Sequence, residues 1–252
     1  MLIRARILFA VLTSAAVLVA APARAQFGVN AQGVNAAFIK LFGPHTNFTA
    51  KVDVQVLDKA GKDWLRLPGK IAALEEKLRF DVDMGRAVSK ELPEFAINSL
   101  KQSGMNEVIS IVRPDRKATF LIYPGAQSYL NLPLSADDAA AMQKGYKVET
   151  ASSARETLQG KERVRSNVVV REAAGNAVLT ATTWTAPELK NFPVQIETKQ
   201  DNMTIILRFA DLQLLKPAAS QFELPAGFTE YQDMQKMMFG IMKKMVSGTP
   251  GD

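Results

Sequence analysis

The sequence contains no cysteine and only one histidine among its 252 residues. The absence of cysteine excludes disulfides, thiolate chemistry, cysteine-based zinc sites and the cysteine that carries a bacterial lipid anchor. The histidine, His45, lies in a turn at residues 43–47, and neither a G-x-S-x-G nucleophile elbow nor an H-E-x-x-H metal motif occurs. Glycine-rich phosphate loops are also missing. We therefore expect a protein that is not an enzyme and that uses no metal and no cofactor.

Positive charge is in small excess and is not concentrated outside the first 25 residues. The 31 lysines and arginines outnumber the 25 acidic residues, which gives a net charge of +6. Three of the arginines lie within residues 1–25, which contain no acid, so the rest of the chain has 28 basic and 25 acidic residues. Nucleic-acid binding depends on a concentrated positive surface that faces the phosphates. The composition therefore predicts no nucleic-acid partner.

The longest apolar run lies at the start of the chain. Two arginines precede an apolar stretch at residues 7–21, and the triplet Ala-Arg-Ala at residues 23–25 places small residues where a signal peptidase reads them. A retained membrane anchor is less favoured, because the run is shorter than the ~20 residues that a spanning helix needs. We expect residues 1–25 to be a cleaved signal peptide and residues 26–252 to form a single periplasmic or secreted domain without a transmembrane segment.

Most of the remaining chain alternates apolar and polar residues with a period of two, the pattern of strands that bury one face. The pattern predicts strands at residues 48–56, 77–84, 106–113, 118–124, 127–132, 161–171, 177–185, 192–197 and 203–209. Consecutive short strands with few helices between them predict an antiparallel sheet of about ten strands, and hence an α+β, mainly β fold. The apolar sides of three of these strands are predicted to line the interior of the sheet, with Phe80, Val82, Phe192, Val194, Ile205 and Leu207.

Helical patterns interrupt the strands. Short helices are predicted at residues 34–42, 93–104 and 135–142. The strongest pattern is an amphipathic helix at residues 231–246, which hold five of the ten methionines. Its apolar stripe consists of Met234, Met238, Ile241 and Met245. Because methionine adapts its shape to its surroundings, two interpretations stay open: the helix is a permanent part of the core, or it covers a cavity as an adaptable lid.

Several segments resemble a known group of proteins. They are residues 156–160 (ETLQG), 183–194 (TWTAPELKNFPV) and 217–228 (PAASQFELPAGF), together with Arg113-Pro114-Asp115, Tyr123 and Tyr129. These segments resemble an uncharacterised exported family that is similar to the periplasmic lipoprotein carrier and to outer-membrane lipoprotein-sorting proteins, the lipoprotein-localisation-factor-like superfamily. The resemblance extends from about residue 45 to residue 230 and consists of strand and hairpin signals.

The resemblance implies an incomplete antiparallel β-barrel, or half-barrel, whose concave face is covered by helices and holds acyl chains or other apolar groups. Two features depart from the carriers: the methionine-rich helix and the insertion at residues 86–104. These departures leave the identity of the ligand open. The ten interior and stripe residues named above, from Phe80 to Met245, are the predicted ligand-binding residues.

Composition and resemblance together favour an exported, non-catalytic binding protein for an apolar or amphipathic ligand in the cell envelope, either a lipid or a lipidated protein. The alternative is an envelope adaptor with a filled core and no small ligand, which would bind an envelope protein through its sheet edge or its polar face. A hydrolase without a recognisable motif is the least supported class. We expect a monomer.

The signal peptide generates the first testable prediction. The exported protein should begin at Gln26 and stay in solution without detergent, because the longest apolar run is removed with residues 1–25. Intact mass measurement and N-terminal sequencing of the protein from the periplasmic fraction check this. Recovery of the full precursor in the membrane fraction would contradict it.

Overall fold

The computed structural model describes residues 37–89, 91–133, 145–200 and 202–247. This part of the chain forms twelve β-strands, two α-helices and several short 3₁₀ turns. The strands are β1 (Asn47–Leu57), β2 (Asp63–Leu74), β3 (Lys77–Asp83), β4 (Glu107–Arg113), β5 (Ala118–Tyr123), β6 (Ser128–Pro133), β7 (Tyr146–Leu158), β8 (Lys161–Glu172), β9 (Ala177–Ala186), β10 (Phe192–Gln200), β11 (Met203–Gln213) and β12 (Thr229–Tyr231). The helices are α1 (Glu94–Gln102) and α2 (Met234–Ser247).

All twelve strands belong to one sheet, in the order β12-β6-β5-β4-β3-β2-β1-β11-β10-β9-β8-β7. The order contains two meanders, β1–β6 and β7–β11, in which neighbours in sequence are also neighbours in the sheet. The meanders meet where β1 pairs antiparallel with β11, and β12 adds to β6 as a parallel strand. Among the described strands, β12 and β7 form the two ends of the order, so the sheet is not closed. The prediction of a mainly β, largely antiparallel and unclosed sheet is confirmed.

The apolar periodicity does not predict three of the strands. β2 contains Pro68 and Gly69, residue types that weaken the interior of a strand. The pairing of β2 with β3 starts at Gly69, which lies opposite Val82, so Pro68 lies just outside it. β7 is exposed along nearly its whole length, so it has no buried side that would make its residues alternate. β12 has only three residues. Strand pairing rather than local pattern defines these three elements.

One side of the sheet, called here the inner face, carries a large apolar cluster. Paired residues on neighbouring strands project to the same side of a sheet, so Val56 on β1 lies between Leu65 on β2 and Ile205 on β11. The next such row consists of Val54, Leu67 and Leu207. All six side chains are buried, and the cluster continues onto β3, β4, β5 and β6 on one side and β8, β9 and β10 on the other.

The opposite side, the outer face, carries a second and smaller apolar cluster under the C-terminal segment. It consists of Ala72, Leu74, Ile111, Ala118, Phe120, Ile122 and Phe222. The buried guanidinium of Arg113 fastens this segment, because it donates to both oxygens of Asp115 (2.9 and 2.8 Å), to the Phe222 carbonyl oxygen (2.7 Å) and to Glu223 (2.9 Å). The same guanidinium lowers the pKa of the Asp115 carboxyl. Two of the segments that carry the family resemblance therefore have structural roles.

The predicted helices are found in part. α1 lies within the predicted residues 93–104, and the last residues of the predicted helix 34–42 form a 3₁₀ turn that ends at Gly43. α2 begins at Met234 instead of residue 231, because the preceding residues pair with β6 as β12. The predicted signal peptide and the predicted helix 135–142 lie outside the described residues. Neither of the two described helices is both long and apolar enough to cross a membrane.

The inner face generates a stability prediction. Ile205→Lys should lower the free energy of unfolding by about 3 kcal/mol or more, because it places an unpaired charge among fully buried apolar side chains. Gln213→Lys is the matched control, since Gln213 ends the same strand and is exposed, and its effect should stay within about 0.5 kcal/mol. Urea denaturation measures both. Equal midpoints for the two variants would show that the inner face is assigned to the wrong side.

Candidate functional site

The candidate site is the inner face together with α2. Eight of the ten predicted ligand-binding residues belong to the inner cluster or pack against it: Phe80, Val82, Phe192, Ile205, Leu207, Met234, Met238 and Ile241. Val194 is half-buried at a β-bulge, where the pairing of β10 with β9 shifts between Pro193 and Gln195. Val194 is the extra residue of this bulge and has no partner on β9, whereas Ile196, two residues further on, is fully buried. Met245 is 52% exposed. The role of all ten in ligand binding stays a prediction.

α2 lies on the sheet through one apolar side. It contacts β6 and β12, and its contacts with the inner cluster come from Met234, Met237, Met238 and Ile241, the i, i+3, i+4, i+7 spacing of one helix side. Met237 and Ile241 are buried, whereas the other two are half-buried. The sequence pattern therefore predicts three of the four residues of this apolar side. It includes Met245, which is exposed, and omits Met237, which is buried.

Two local features fix α2 at this position. The Asp233 carboxylate accepts a hydrogen bond from the backbone N–H of Lys236 (2.7 Å), which caps the helix start and lowers the pKa of Asp233. Gly240 allows the helix to lie close to β12, because an added Cβ would overlap the Tyr231 hydroxyl and lie 2.9 Å from its Cζ. These two features position α2, and the apolar side chains of Met234, Met237, Met238 and Ile241 attach it to the inner face.

A cluster of phenylalanines fills another part of the inner face. The Phe42 ring centroid lies 4.7 Å from that of Phe48, 5.5 Å from those of Phe38 and Phe209, and 5.7 Å from that of Phe192. Edge-to-face and tilted ring pairs of this kind contribute about 0.5–1.5 kcal/mol each beyond their burial. Strand alternation places Phe48 and Phe209 on the inner side, but no sequence signal shows that the turn carrying Phe42 docks between them.

Among the described residues, two buried hydroxyl groups of the inner face find no hydrogen-bond partner. They belong to Thr119 and Tyr123, which are both buried and lie on the same side of β5. Burial raises the pKa of the Tyr123 hydroxyl, so the group is a neutral phenol, which is able both to donate and to accept a hydrogen bond. Each buried polar group without a partner costs about 1–3 kcal/mol. The β5 side of this apolar face therefore offers two unused hydrogen-bonding groups, which the strand pattern alone does not reveal.

Outside its smaller apolar cluster, the outer face carries polar side chains that contact one another. Arg208 Nε donates to Gln195 (3.1 Å), and the Trp184 ring N–H donates to the Glu156 carboxylate. The guanidinium of Arg165 lies over the Trp184 ring, 5.7 Å from its centroid. Trp184, a residue of the family resemblance, thus links polar groups on the outer face and does not line the inner one.

The outer face also has a cavity of about 290 Å³ beside β1, β2, β3 and β11. Its lining includes two ion pairs, Lys51 with Asp211 (2.6 Å) and Arg79 with Asp81 (2.7 Å). The wall of this cavity therefore mixes charged side chains with apolar ones, among them Ala50, Ile71 and Ala72. Within the described ranges, no group of three or more histidine, aspartate or glutamate side chains is placed to hold a metal ion.

No family model and no curated protein matches the chain. Among solved structures, the chain is similar to a LolA superfamily protein from Nitrosomonas europaea, with 10% identity, a TM-score of 0.43, and coverage of 78% of this chain and 97% of that one. It is also similar to lipoprotein LppX from Mycobacterium tuberculosis, with 10% identity, a TM-score of 0.35, and coverage of 71% of this chain and 92% of that one. A third similar structure is an outer-membrane lipoprotein-sorting protein domain from Vibrio parahaemolyticus, with 10% identity, a TM-score of 0.35, and coverage of 78% of this chain and 97% of that one. The names of the first and third fall within the group of proteins that the sequence segments resemble.

The unpaired hydroxyl of Tyr123 generates a second stability prediction. Tyr123→Phe should leave the free energy of unfolding unchanged or raise it, by up to about 3 kcal/mol, because it removes a buried polar group that has no partner. Tyr129→Phe is the control, since the Tyr129 hydroxyl donates to Glu230 (2.8 Å), and it should lower the free energy of unfolding by about 1 kcal/mol. Urea denaturation compares the two. A loss in Tyr123→Phe as large as in Tyr129→Phe would mean that the Tyr123 hydroxyl is bonded in solution.

Proposed function

We propose that residues 26–252 form a single exported domain that acts in the periplasm as a monomeric, non-catalytic binding protein for an amphipathic ligand. The ligand class is an acyl chain, carried by a lipid or by a lipidated protein. One observation supports this most directly: an unclosed sheet has a continuous apolar inner face, and a methionine-bearing helix lies on that face. The proposed ligand contacts are Phe80, Val82, Phe192, Val194, Ile205, Leu207, Met234, Met238 and Ile241.

In this proposal the helices, and α2 above all, cover the concave side of a half-barrel and α2 moves when ligand enters. Complete burial of Met237 and Ile241 contributes roughly 3–6 kcal/mol to the attachment of the helix, at about 1.5–3 kcal/mol each. A ligand gains about 0.8 kcal/mol for each methylene group that it buries. About four to eight buried methylenes therefore offset the loss, and an ordinary acyl chain provides more than that. Methionine side chains then repack at little cost against chains of different shape.

The unpaired hydroxyls support an amphipathic ligand over a purely apolar one. A hydrocarbon would leave Thr119 and Tyr123 without partners, whereas a carboxylic acid or ester has oxygens that accept hydrogen bonds. A buried polar group without a hydrogen-bond partner costs about 1–3 kcal/mol. A ligand whose oxygen atom accepts a hydrogen bond from either hydroxyl therefore binds more tightly than a hydrocarbon of equal size.

A second candidate function is an envelope adaptor with a filled core. Val54, Ile196 and Ile205 are already completely buried by the protein itself, as in a permanent core. The exposed strand β7 lies at the end of the described sheet, and a partner strand would add along its outer edge. In this case the inner face would take up no small ligand, and a protein would bind along β7.

Binding of the fluorescent fatty acid cis-parinaric acid tests the two candidates. We expect the mature protein to take up the probe. Ile241→Ser should accelerate uptake about ten- to hundredfold, because the variant removes most of the free energy that burial of the Ile241 side chain contributes to the attachment of α2. Gln235→Ser introduces the same residue on the exposed side of the same helix and should leave the rate unchanged. Stopped-flow fluorescence measures the rates.

Tyr123→Phe completes the test. It should weaken binding of the fatty acid while leaving binding of the uncharged hydrocarbon probe diphenylhexatriene unchanged, since only the acid offers an oxygen to the hydroxyl. Absence of uptake by both the unaltered protein and Ile241→Ser, with folding confirmed by circular dichroism, would refute the binding proposal and favour the adaptor. Equal uptake rates for Ile241→Ser and Gln235→Ser would refute the role of α2 as a cover.

A further inference from the structure

α2 has a second apolar surface, which the sheet does not cover. Phe239 is 68% exposed, Met242 49% and Met245 52%. Consecutive residues of an α-helix are 100° apart around its axis, so Phe239 and Met242 turn away from the sheet although each directly follows a residue that packs on it, Met238 and Ile241. We call Phe239 and Met242 the exposed stripe; Met245 lies one turn beyond Ile241 on the side of the helix that faces the sheet, and it adds exposed apolar surface near the helix end.

The charged side chains of α2 itself have one sign. The sequence of α2 contains three lysines and no acidic residue. Lys236 pairs with Asp233 at the helix start (3.3 Å), and Lys243 directly follows Met242 and is exposed. α1 provides the contrast, because its Phe95 is 64% exposed but follows Glu94. Of the two described helices, α2 therefore combines exposed apolar side chains with positive charge.

We propose that the exposed stripe docks α2 on an anionic membrane surface. Apolar side chains on one side of an interfacial helix enter the boundary between headgroups and acyl chains, while flanking lysines contact anionic headgroups. A protein partner would have to bring both an apolar groove and acidic groups to the stripe, and an anionic bilayer offers both in one surface. The exposed stripe is accessible while the buried side of α2 lies on the sheet, so this proposal stands whether or not the inner face binds a ligand.

Co-sedimentation of the full mature chain with vesicles tests the proposal. We expect binding to phosphatidylcholine vesicles that contain about one third phosphatidylglycerol, much weaker binding to pure phosphatidylcholine, and a decrease with added salt. Lys243→Gln should lower the partition coefficient about fivefold, the factor expected for one lysine near an anionic surface. Phe239→Ser should lower it at least as much, because it removes the largest apolar side chain of the exposed stripe.

The matched controls are Phe95→Ser and Lys101→Gln on α1, which make the same chemical changes on exposed residues and should leave the partition coefficient unchanged. Melting curves confirm that all four variants fold. Absence of binding to the mixed vesicles, or an equal loss in the α1 variants, would overturn the proposal. Light scattering after size exclusion provides another refutation: a concentration-dependent dimer that Phe239→Ser abolishes would assign the exposed stripe to a second copy of the chain.

Discussion

The pairing of β1 with β11 is the constraint on which the sheet depends. It joins two meanders whose other antiparallel pairs link strands adjacent in sequence, so no turn sets its register. The apolar side chains set it instead, because a shift by one residue would turn the inner side of β11 towards the polar outer face. With Val56 opposite Ile205 and Val54 opposite Leu207, the inner faces of the two meanders become one surface. The candidate site exists only through this contact between distant parts of the chain.

The inner face has two regions of different mechanical character. Around Phe42, ring pairs at defined distances and angles hold β1, β10 and β11, and such aromatic packing tolerates little rearrangement. Near β6 and β12 the contacts come from the methionines and Ile241 of α2, and unbranched thioether side chains adopt new rotamers easily. A ligand that enters the inner face therefore meets least resistance at the α2 side. In the proposed function, this difference lets one apolar cluster be both a stable core and the place where a ligand exchanges.

The sequence predicts the class of fold well and the site only in part, because period-two patterns report burial of one side and nothing else. They locate β1, β3 and β11, whose inner sides are buried, but not β7, which is exposed on both sides. They predict Val194 to be buried like Phe192 and Ile196, but Val194 is the extra residue of a bulge and is only half-buried, and a bulge leaves no trace in the pattern. The unpaired hydroxyl of Tyr123 is equally invisible, because it depends on what surrounds β5 in space. Such features depend on how the strands pair and pack in space, which the periodicity of the sequence does not report.

The two proposals for α2 are physically linked if both hold. A helix of 14 residues is only marginally stable alone, so it needs a surface on at least one side. When α2 lies on the sheet, a membrane meets only the exposed stripe; when α2 leaves the sheet, Met237 and Ile241 also become available to the membrane. The membrane then binds the detached helix more strongly than the attached one, and this difference in affinity lowers the cost of uncovering the inner face. By the same linkage, a ligand that displaces α2 strengthens membrane docking, so exchange of ligand would be favoured where an acceptor or donor bilayer is present.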